Sequence, residues 1–378
     1  MDGGRRRIRQ RAAPANYTRR TWLHSVFQPQ CCVGQCLTLG VEIALYPLTL
    51  RRCALRISTY FNRVAYSLRS PLIDVGSPEE VVLVAGMGRS GTTWAANVIN
   101  HDHTHRVMFE PFFPARVKDA RGFQYIQYLH PLSRNAMLAA KARRILSGKA
   151  RNAWIDQANT GYFYRRRIVK DIRCNLMLGW LQMIAGAPPL VLVVRHPLQV
   201  ALSWAKLGWG REALGNKTDF DHIVGQKQLL VDYPVIAETL KSIDRGSLLE
   251  VLVFQWAVFH LVPSRQLTPG TAYILYYESL LAEKDNEAEK LFRHLGRPFD
   301  PELIHRALSK PASTNFQNRD PRRDRARLLG SWAEEIPQRD KKRAGDILKM
   351  FGLDGIYDSK GYPTGEPFLK HDSSASLY

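Results

Sequence analysis

The chain has 378 residues, with 54 Lys plus Arg against 34 Asp plus Glu, and 45% of it is apolar. That length and apolar content can bury a sizeable core, which excludes a disordered chain, a collagen-like repeat and a small disulfide scaffold. The formal charge of +20 favours anionic partners, whether phosphate esters, nucleic acid or an acidic membrane surface, without choosing among them.

Half of that charge lies in the first 70 residues, where twelve Arg face only Asp2 and Glu42. Residues 31–50, CCVGQCLTLGVEIALYPLTL, are long enough to cross a bilayer. Glu42 in mid-span costs about 2.5–3.5 kcal/mol, however, and Arg-rich flanks on both sides give no orientation. We therefore expect an interfacial or packed helical segment: the favoured reading is a basic, partly disordered extension followed by a helix packed on the domain, and the competing one a peripheral contact of residues 1–70 to an acidic membrane. The expected localisation is cytoplasmic, membrane-associated only if residues 1–70 make that contact, the alternative being a Golgi-type single span through residues 31–50. A signal peptide fits poorly, because the apolar run starts about thirty residues in and no small-residue cleavage site follows it cleanly. Four of the five cysteines (Cys31, Cys32, Cys36, Cys53) crowd this segment without the second pair of ligands that a zinc site needs, so no metal is expected.

From Pro78 the pattern changes. VVLVAG (Val81 to Gly86) is a β-branched run closed by glycine, followed by GMGRSGTT and the apolar-periodic TWAANVIN, which reads as buried strand, tight loop and helix. Residues 112–165, rich in Arg, aromatics and helix formers, read as an inserted helical region. RRIVKDIR (Arg166 to Arg173) is a shorter strand candidate. PPLVLVVRHP (Pro188 to Pro197) repeats the strand-to-helix form before LQVALSWAKLG, and AYILYYESL (Ala272 to Leu280) precedes the helix EAEKLFRHLG. Alternating strands and helices predict an α/β fold, a parallel sheet flanked by helices with its ligands at the carboxyl ends of the strands. The expected organisation is a basic extension over 1–77, one domain over 78–357 and a tail over 358–378.

The loop after the first strand carries the chemistry. Gly86, Gly88 and Gly91 let the backbone turn and approach a ligand, and Ser90, Thr92 and Thr93 put hydroxyl donors at a helix start, a ready anion site. Gly86 and Gly91 have the Walker A spacing, yet Thr92 stands where a nucleotide loop carries Lys. The cation sits within the loop as Arg89, and the second strand ends in Arg195 rather than in an acid for Mg²⁺. Arg and hydroxyls without Lys and Mg²⁺ suit a phosphosulfate better than a nucleoside triphosphate. Arg195, with Ser203 eight residues on, adds a guanidinium fork and a hydroxyl for a second phosphate. Two anion sites on one sheet imply a ligand with two anionic ends.

GMGRSGTTW, Gly86 to Trp94, resembles the 5′-phosphosulfate loop of sulfotransferases that use 3′-phosphoadenosine 5′-phosphosulfate (PAPS), and RHPLQVALS resembles their 3′-phosphate site. The resemblance runs over roughly residues 78–357 and implies a P-loop-like sulfotransferase fold, PAPS as co-substrate, 3′-phosphoadenosine 5′-phosphate (PAP) as product, and no metal. It implies nucleotide contacts from Gly88, Arg89, Ser90, Gly91, Thr92, Thr93, Trp94, Arg195 and Ser203, and from Arg325 or Arg327 in the basic stretch NRDPRRDRARLLGSW. Carbohydrate and tyrosylprotein members carry a Glu base at a spacing comparable to that of Glu110, 21 residues after Arg89. The catalytic set is then Glu110, Arg89 and Lys170, with Asp171 as runner-up base.

Met108, Phe109, Phe112 and Phe113 around Glu110 predict a desolvated carboxyl of raised pKa; the competing reading pairs Glu110 with Arg116 or Arg106. His101, His103 and His105 alternate in what reads as a polar connection. For the acceptor, Trp154, Tyr162, Phe163, Tyr164, Trp204 and Trp209 offer aromatic surfaces, and a carbohydrate or glycolipid hydroxyl is favoured over a small metabolite or a peptide tyrosine. The sequons at Asn16 and Asn216 matter only in a secretory protein. The competing classes are a P-loop kinase, opposed by Thr92, and a module binding an anionic surface. No nucleic-acid partner is expected, because the N-terminal arginines lack interleaved aromatics.

Overall fold

The computed structural model describes residues 72–76, 80–210, 217–309, 325–365 and 368–369, with the side chains of 325–328 excepted. All of them belong to one compact unit. The expectations for residues 1–70, including the 31–50 segment and the sequon at Asn16, lie outside the described residues, as does Asn216. Among the described residues no helix is long and apolar enough to cross a membrane.

Strands β1 (Ile73–Asp74), β2 (Val81–Ala85), β3 (His105–Phe109), β4 (Phe163–Tyr164), β5 (Arg166–Asp171), β6 (Leu190–Val194) and β7 (Ala272–Tyr276) form two sheets. β1 and β4 make a two-stranded ribbon, and the other five form a sheet in the order β3-β5-β2-β6-β7 in which every pairing is parallel. β2 and β6 are buried at all five positions, as continuous apolar runs require when helices cover both faces.

The period-2 alternation divides their side chains between two cores. Val81, Leu83 and Ala85 join Leu190, Leu192 and Val194 on one face, under the helices Ala136–Leu146, Leu178–Ala185, Pro197–Leu207, Leu248–Gln266 and Gln338–Met350. Val82 and Val84 join Val191 and Val193 on the other, under Thr92–Ile99, Lys284–His294 and Pro301–Ser309.

The structure corrects the reading of the elements in two places. Residues 112–165 contain one α-helix, Ala136–Leu146, and one short 3₁₀ turn at Lys118–Ala120, so the inserted region is largely irregular chain anchored by side-chain bonds. The polar connection around the three histidines ends in a strand: β3 starts at His105. Its Arg106 is fully buried because Asp156 receives its Nε at 2.8 Å and Asp74 its Nη1 at 2.9 Å, a compensation that local sequence does not reveal. Leu72, before the 78–357 span, and Phe368 and Leu369, after it, are buried.

Candidate active site

The carboxyl ends of β2, β3, β5 and β6 lie at one end of the sheet, and the shared direction of its parallel strands brings their following loops together there. After β2, Gly86 has φ 153° and Gly91 φ 98°. Both need glycine: a Cβ on Gly86 would sit 2.6 Å from the Val193 carbonyl oxygen, and one on Gly91 2.6 Å from Tyr277 Cδ2. Arg89 is also left-handed, at φ 71°, a conformation that costs a branched or long side chain of the order of 1 kcal/mol and clusters at functional sites. Helix Thr92–Ile99 starts at Gly91 with no side-chain cap, which leaves its first amides available to an anion.

The second anion motif packs directly on the first. Arg89 Nε donates to Ser203 Oγ at 3.1 Å, and Arg195 Nη1 donates to the Arg89 carbonyl at 3.1 Å. Burial, and after it the Arg195 charge, lowers the Arg89 pKa. Neither guanidinium has a carboxylate partner among the described residues, and Ser90 Oγ and Arg195 Nε are buried without a hydrogen-bond partner. Two neighbouring cations and unspent donors at a helix start fit an anion with more than one charged group.

Trp204 Nε1 donates to the Gly88 carbonyl at 2.7 Å, so this buried indole supports the loop. Trp209 stands 6.0 Å from the Arg89 guanidinium. Trp94 is buried and meets Tyr277 edge to face at 5.4 Å. Thr92 is buried and Thr93 half-buried at the helix start.

Two strands over, about 10 Å at 4.8 Å per strand, Glu110 follows β3 with φ 44°. Its carboxylate accepts from Lys170 Nζ at 2.8 Å and from Arg173 Nη1 at 2.5 Å. Burial raises the Glu110 pKa, but the Lys170 and Arg173 charges outweigh it and hold the carboxyl below its ordinary value. The expectation of a raised pKa from apolar neighbours is therefore corrected: the phenylalanines next to Glu110 in sequence count for less than two cations some sixty residues away. Those cations are also its partners in place of Arg116 and Arg106.

Asp171, expected as runner-up base, is fully buried and accepts from the backbone amides of Phe112 at 2.8 Å and Arg173 at 2.7 Å. Burial pushes it up to about 6. His105 lies at the opposite, amino end of β3, bonded to Arg297, far along the strand from Glu110.

The sequence model of the "Sulfotransferase family" matches residues 81–301, a span that holds the loop, Arg195 and Ser203, and Glu110. The chain belongs to the sulfotransferase family. It is similar in structure to the sulfotransferase domain of the Synechococcus PCC 7002 olefin synthase, at 14% identity over 72% of this chain and 96% of that one with a TM-score of 0.40. It is similar also to mouse sulfotransferase SULT7A1 complexed with PAP, at 13% identity over 73% and 85% with a TM-score of 0.39. A third similar structure, sulfotransferase STF1 from Mycobacterium tuberculosis, has 11% identity over 66% and 75% with a TM-score of 0.34. No protein of curated function matches the chain.

In this sulfotransferase the sequence-derived residues thus form two groups on one sheet edge. Gly88, Arg89, Ser90, Gly91, Arg195 and Ser203 make the first; Glu110 and Lys170 make the second. Arg325 and Arg327 start the helix Arg325–Glu335, while their side chains lie outside the described residues. Tyr162 and Phe163 are exposed and Tyr164 is buried on the β1–β4 ribbon, at the amino end of β5, away from Glu110. Of the six expected aromatics, Trp154 bonds to the Glu110 backbone, donating Nε1 to its carbonyl at 3.3 Å.

The sequence reading missed Arg173, Asn175 and Trp256. Asn175 Oδ1 accepts from Gly86 N at 3.2 Å, and Trp256 Nε1 donates to the Arg195 carbonyl at 2.9 Å. The available signal was the position of Arg173 three residues past Lys170, on the same strand end. Among the described residues no cluster of His, Cys, Asp and Glu could hold a metal ion.

Proposed function

We propose that this sulfotransferase transfers the sulfuryl group of PAPS to a hydroxyl of a carbohydrate or glycolipid, with Glu110 as the base. One observation carries the reading: Arg89, Ser203 and Arg195 meet at the glycine loop as a cationic site in which neither guanidinium is ion-paired to a carboxylate among the described residues, which suits a nucleotide with separate 5′ and 3′ anionic groups. The nucleotide would rest on the loop amides, Ser90 and Arg89 at its 5′ end, and on Arg195 and Ser203 at its 3′ phosphate. PAPS supplies an activated sulfuryl group. The S–O bond to the leaving phosphate breaks as the acceptor oxygen forms its own S–O bond, and the acceptor proton goes to Glu110.

Glu110 is suited to that part by being ionised, not by being strongly basic. An ion-paired carboxylate is a weak base toward a free alcohol, but the attacking hydroxyl acidifies as its oxygen bonds to sulfur, so proton transfer late in the step suffices. Lys170, already on Glu110, lies beside the charge that moves. Arg89 and the loop amides face the leaving phosphate, where preorganised donors are typically worth about 10²- to 10³-fold each.

The acceptor class is supported by the surroundings of Glu110. Half-buried Phe113, Tyr125 and Trp154 line it, with the Phe113 ring 5.5 Å from Tyr125 and 5.6 Å from Trp154. His222 lies 5.3 Å from Tyr125, and its Nε2 and Arg173 Nε are buried without a partner. Aromatic faces beside unspent polar atoms suit a ring that carries several hydroxyls.

Calorimetric titration with PAP, and separately with ADP plus Mg²⁺, tests the reading on wild type and on Arg195→Ala. PAP is expected to bind without metal, and the variant to bind it about 100-fold more weakly, in line with charge-assisted bonds. Preference for Mg²⁺-ADP, or undiminished PAP binding by the variant, would refute it.

A further inference from the structure

The guanidinium of Arg195 can serve a phosphate only if its backbone is fixed, and the peptide that follows it is held from two sides. On one side Trp256 Nε1, from the helix Leu248–Gln266, donates to the Arg195 carbonyl at 2.9 Å. On the other, Glu278 Oε1 accepts the amide of His196 at 3.0 Å. Glu278 is 1% exposed, and its second oxygen accepts from the Tyr357 hydroxyl at 3.0 Å. Tyr357 lies beyond the 81–301 span of the family match.

The same elements hold the side chain. Tyr277, next to Glu278, presents its ring 4.2 Å from the Arg195 guanidinium. His196 stacks on Trp332 at 4.3 Å and meets Tyr357 edge to face at 5.0 Å, so the C-terminal segment packs on the residue that follows Arg195. A buried carboxylate spent on a backbone amide and a phenol is costly to keep unless it fixes something. What it fixes is the strand end that carries Arg195.

We infer that Glu278, with Tyr357 behind it, is a positioning residue for the 3′-phosphate: it clamps the peptide after Arg195 so that the guanidinium is preorganised for that group. The inference rests on the PAPS reading and adds to it a selectivity determinant supplied partly from outside the family's matched region.

The test compares the affinities of the full-length chain for PAP and for adenosine 5′-monophosphate, which lacks the 3′-phosphate. For Glu278→Ala, PAP affinity is expected to fall about tenfold, the scale of a buried hydrogen bond lost next to a charge, while the monophosphate changes by less than about threefold, because the glycine loop that holds a 5′-phosphate is left in place. Glu278→Gln keeps an acceptor for the His196 amide and should restore most of the PAP preference. Tyr357→Phe, which removes one hydroxyl and no core volume, should lower the preference in the same direction and guards against a failure of the alanine variant to fold. Equal loss of both affinities in Glu278→Ala, or an unchanged ratio in both it and Tyr357→Phe, would overturn the clamp while leaving the PAPS reading intact. A wild type that does not prefer PAP over the monophosphate would overturn the PAPS reading and the clamp with it.

Discussion

Glu110 shows how a site residue takes its properties from partners distant in sequence. With Lys170 Nζ at 2.8 Å and Arg173 Nη1 at 2.5 Å, it stays ionised below the ordinary carboxylate range. The acid limb of kcat/KM that belongs to it should therefore lie below about pH 4.3, the unperturbed value for Glu. A limb near pH 6 that disappears in Asp171→Asn would instead assign the base to Asp171, whose pKa burial pushes up to about 6. Glu110→Gln should lower kcat by about 10²- to 10⁴-fold with PAP affinity nearly unchanged; a variant that kept a tenth of the wild-type kcat would rule the glutamate out as base. Their motifs make Arg89 and Ser203 each a candidate anion ligand, whereas the 3.1 Å bond between them spans more than a hundred residues and belongs to the fold.

Among the elements, β2 and β6 were legible because five consecutive apolar residues leave a buried strand as the only economical structure. β3 was not, because HRVMF begins with two polar residues. Arg106 there is neutralised by Asp74, which also accepts from Arg167 at 2.8 Å, and by Asp156, residues on either side of β3 in sequence. This network ties the β1–β4 ribbon and the irregular 148–159 chain to the amino end of the sheet. Removing one member leaves a buried charge uncompensated, so Asp156→Asn should destabilise the protein by about 3–5 kcal/mol in urea denaturation. The folded variant should keep its PAP affinity, since the nucleotide site lies at the other end of the strands. A loss below about 1 kcal/mol would show that the network is not structural.

At the scale of the whole molecule, burial sets the acid stability. His105 and His196 are pushed down to about 3 and His260 to about 4, in each case by burial first. The folded protein keeps all three neutral while the unfolded chain protonates them near pH 6.5, so stability is full above that value and is lost as pH falls toward 4. At pH 5 each costs about 2 kcal/mol. Asp171 acts in the opposite sense, since its raised pKa lets the folded state hold a proton between about 4 and 6, and it offsets part of the loss. Thermal melts from pH 7 to pH 4.5 should show a falling midpoint, with a smaller fall in His196→Gln. A midpoint independent of pH over that range would mean that these rings protonate without cost.

Two levels of information are separable here. The sequence by itself determined the parallel α/β class, the glycine loop, and the placing of Arg195 at a strand end with Ser203 on the helix that follows, because hydrophobic runs, glycine spacing and helix starts are local patterns whose physics acts within a few residues. Only the tertiary structure decided that Arg89 and Ser203 touch, that Glu110 is ion-paired instead of desolvated into a strong base, that Trp204 holds the loop, and that a C-terminal tyrosine stands behind Arg195. Each of these depends on charges and hydrogen bonds between segments far apart along the chain, and such interactions have no strength until folding brings their partners within a few ångströms.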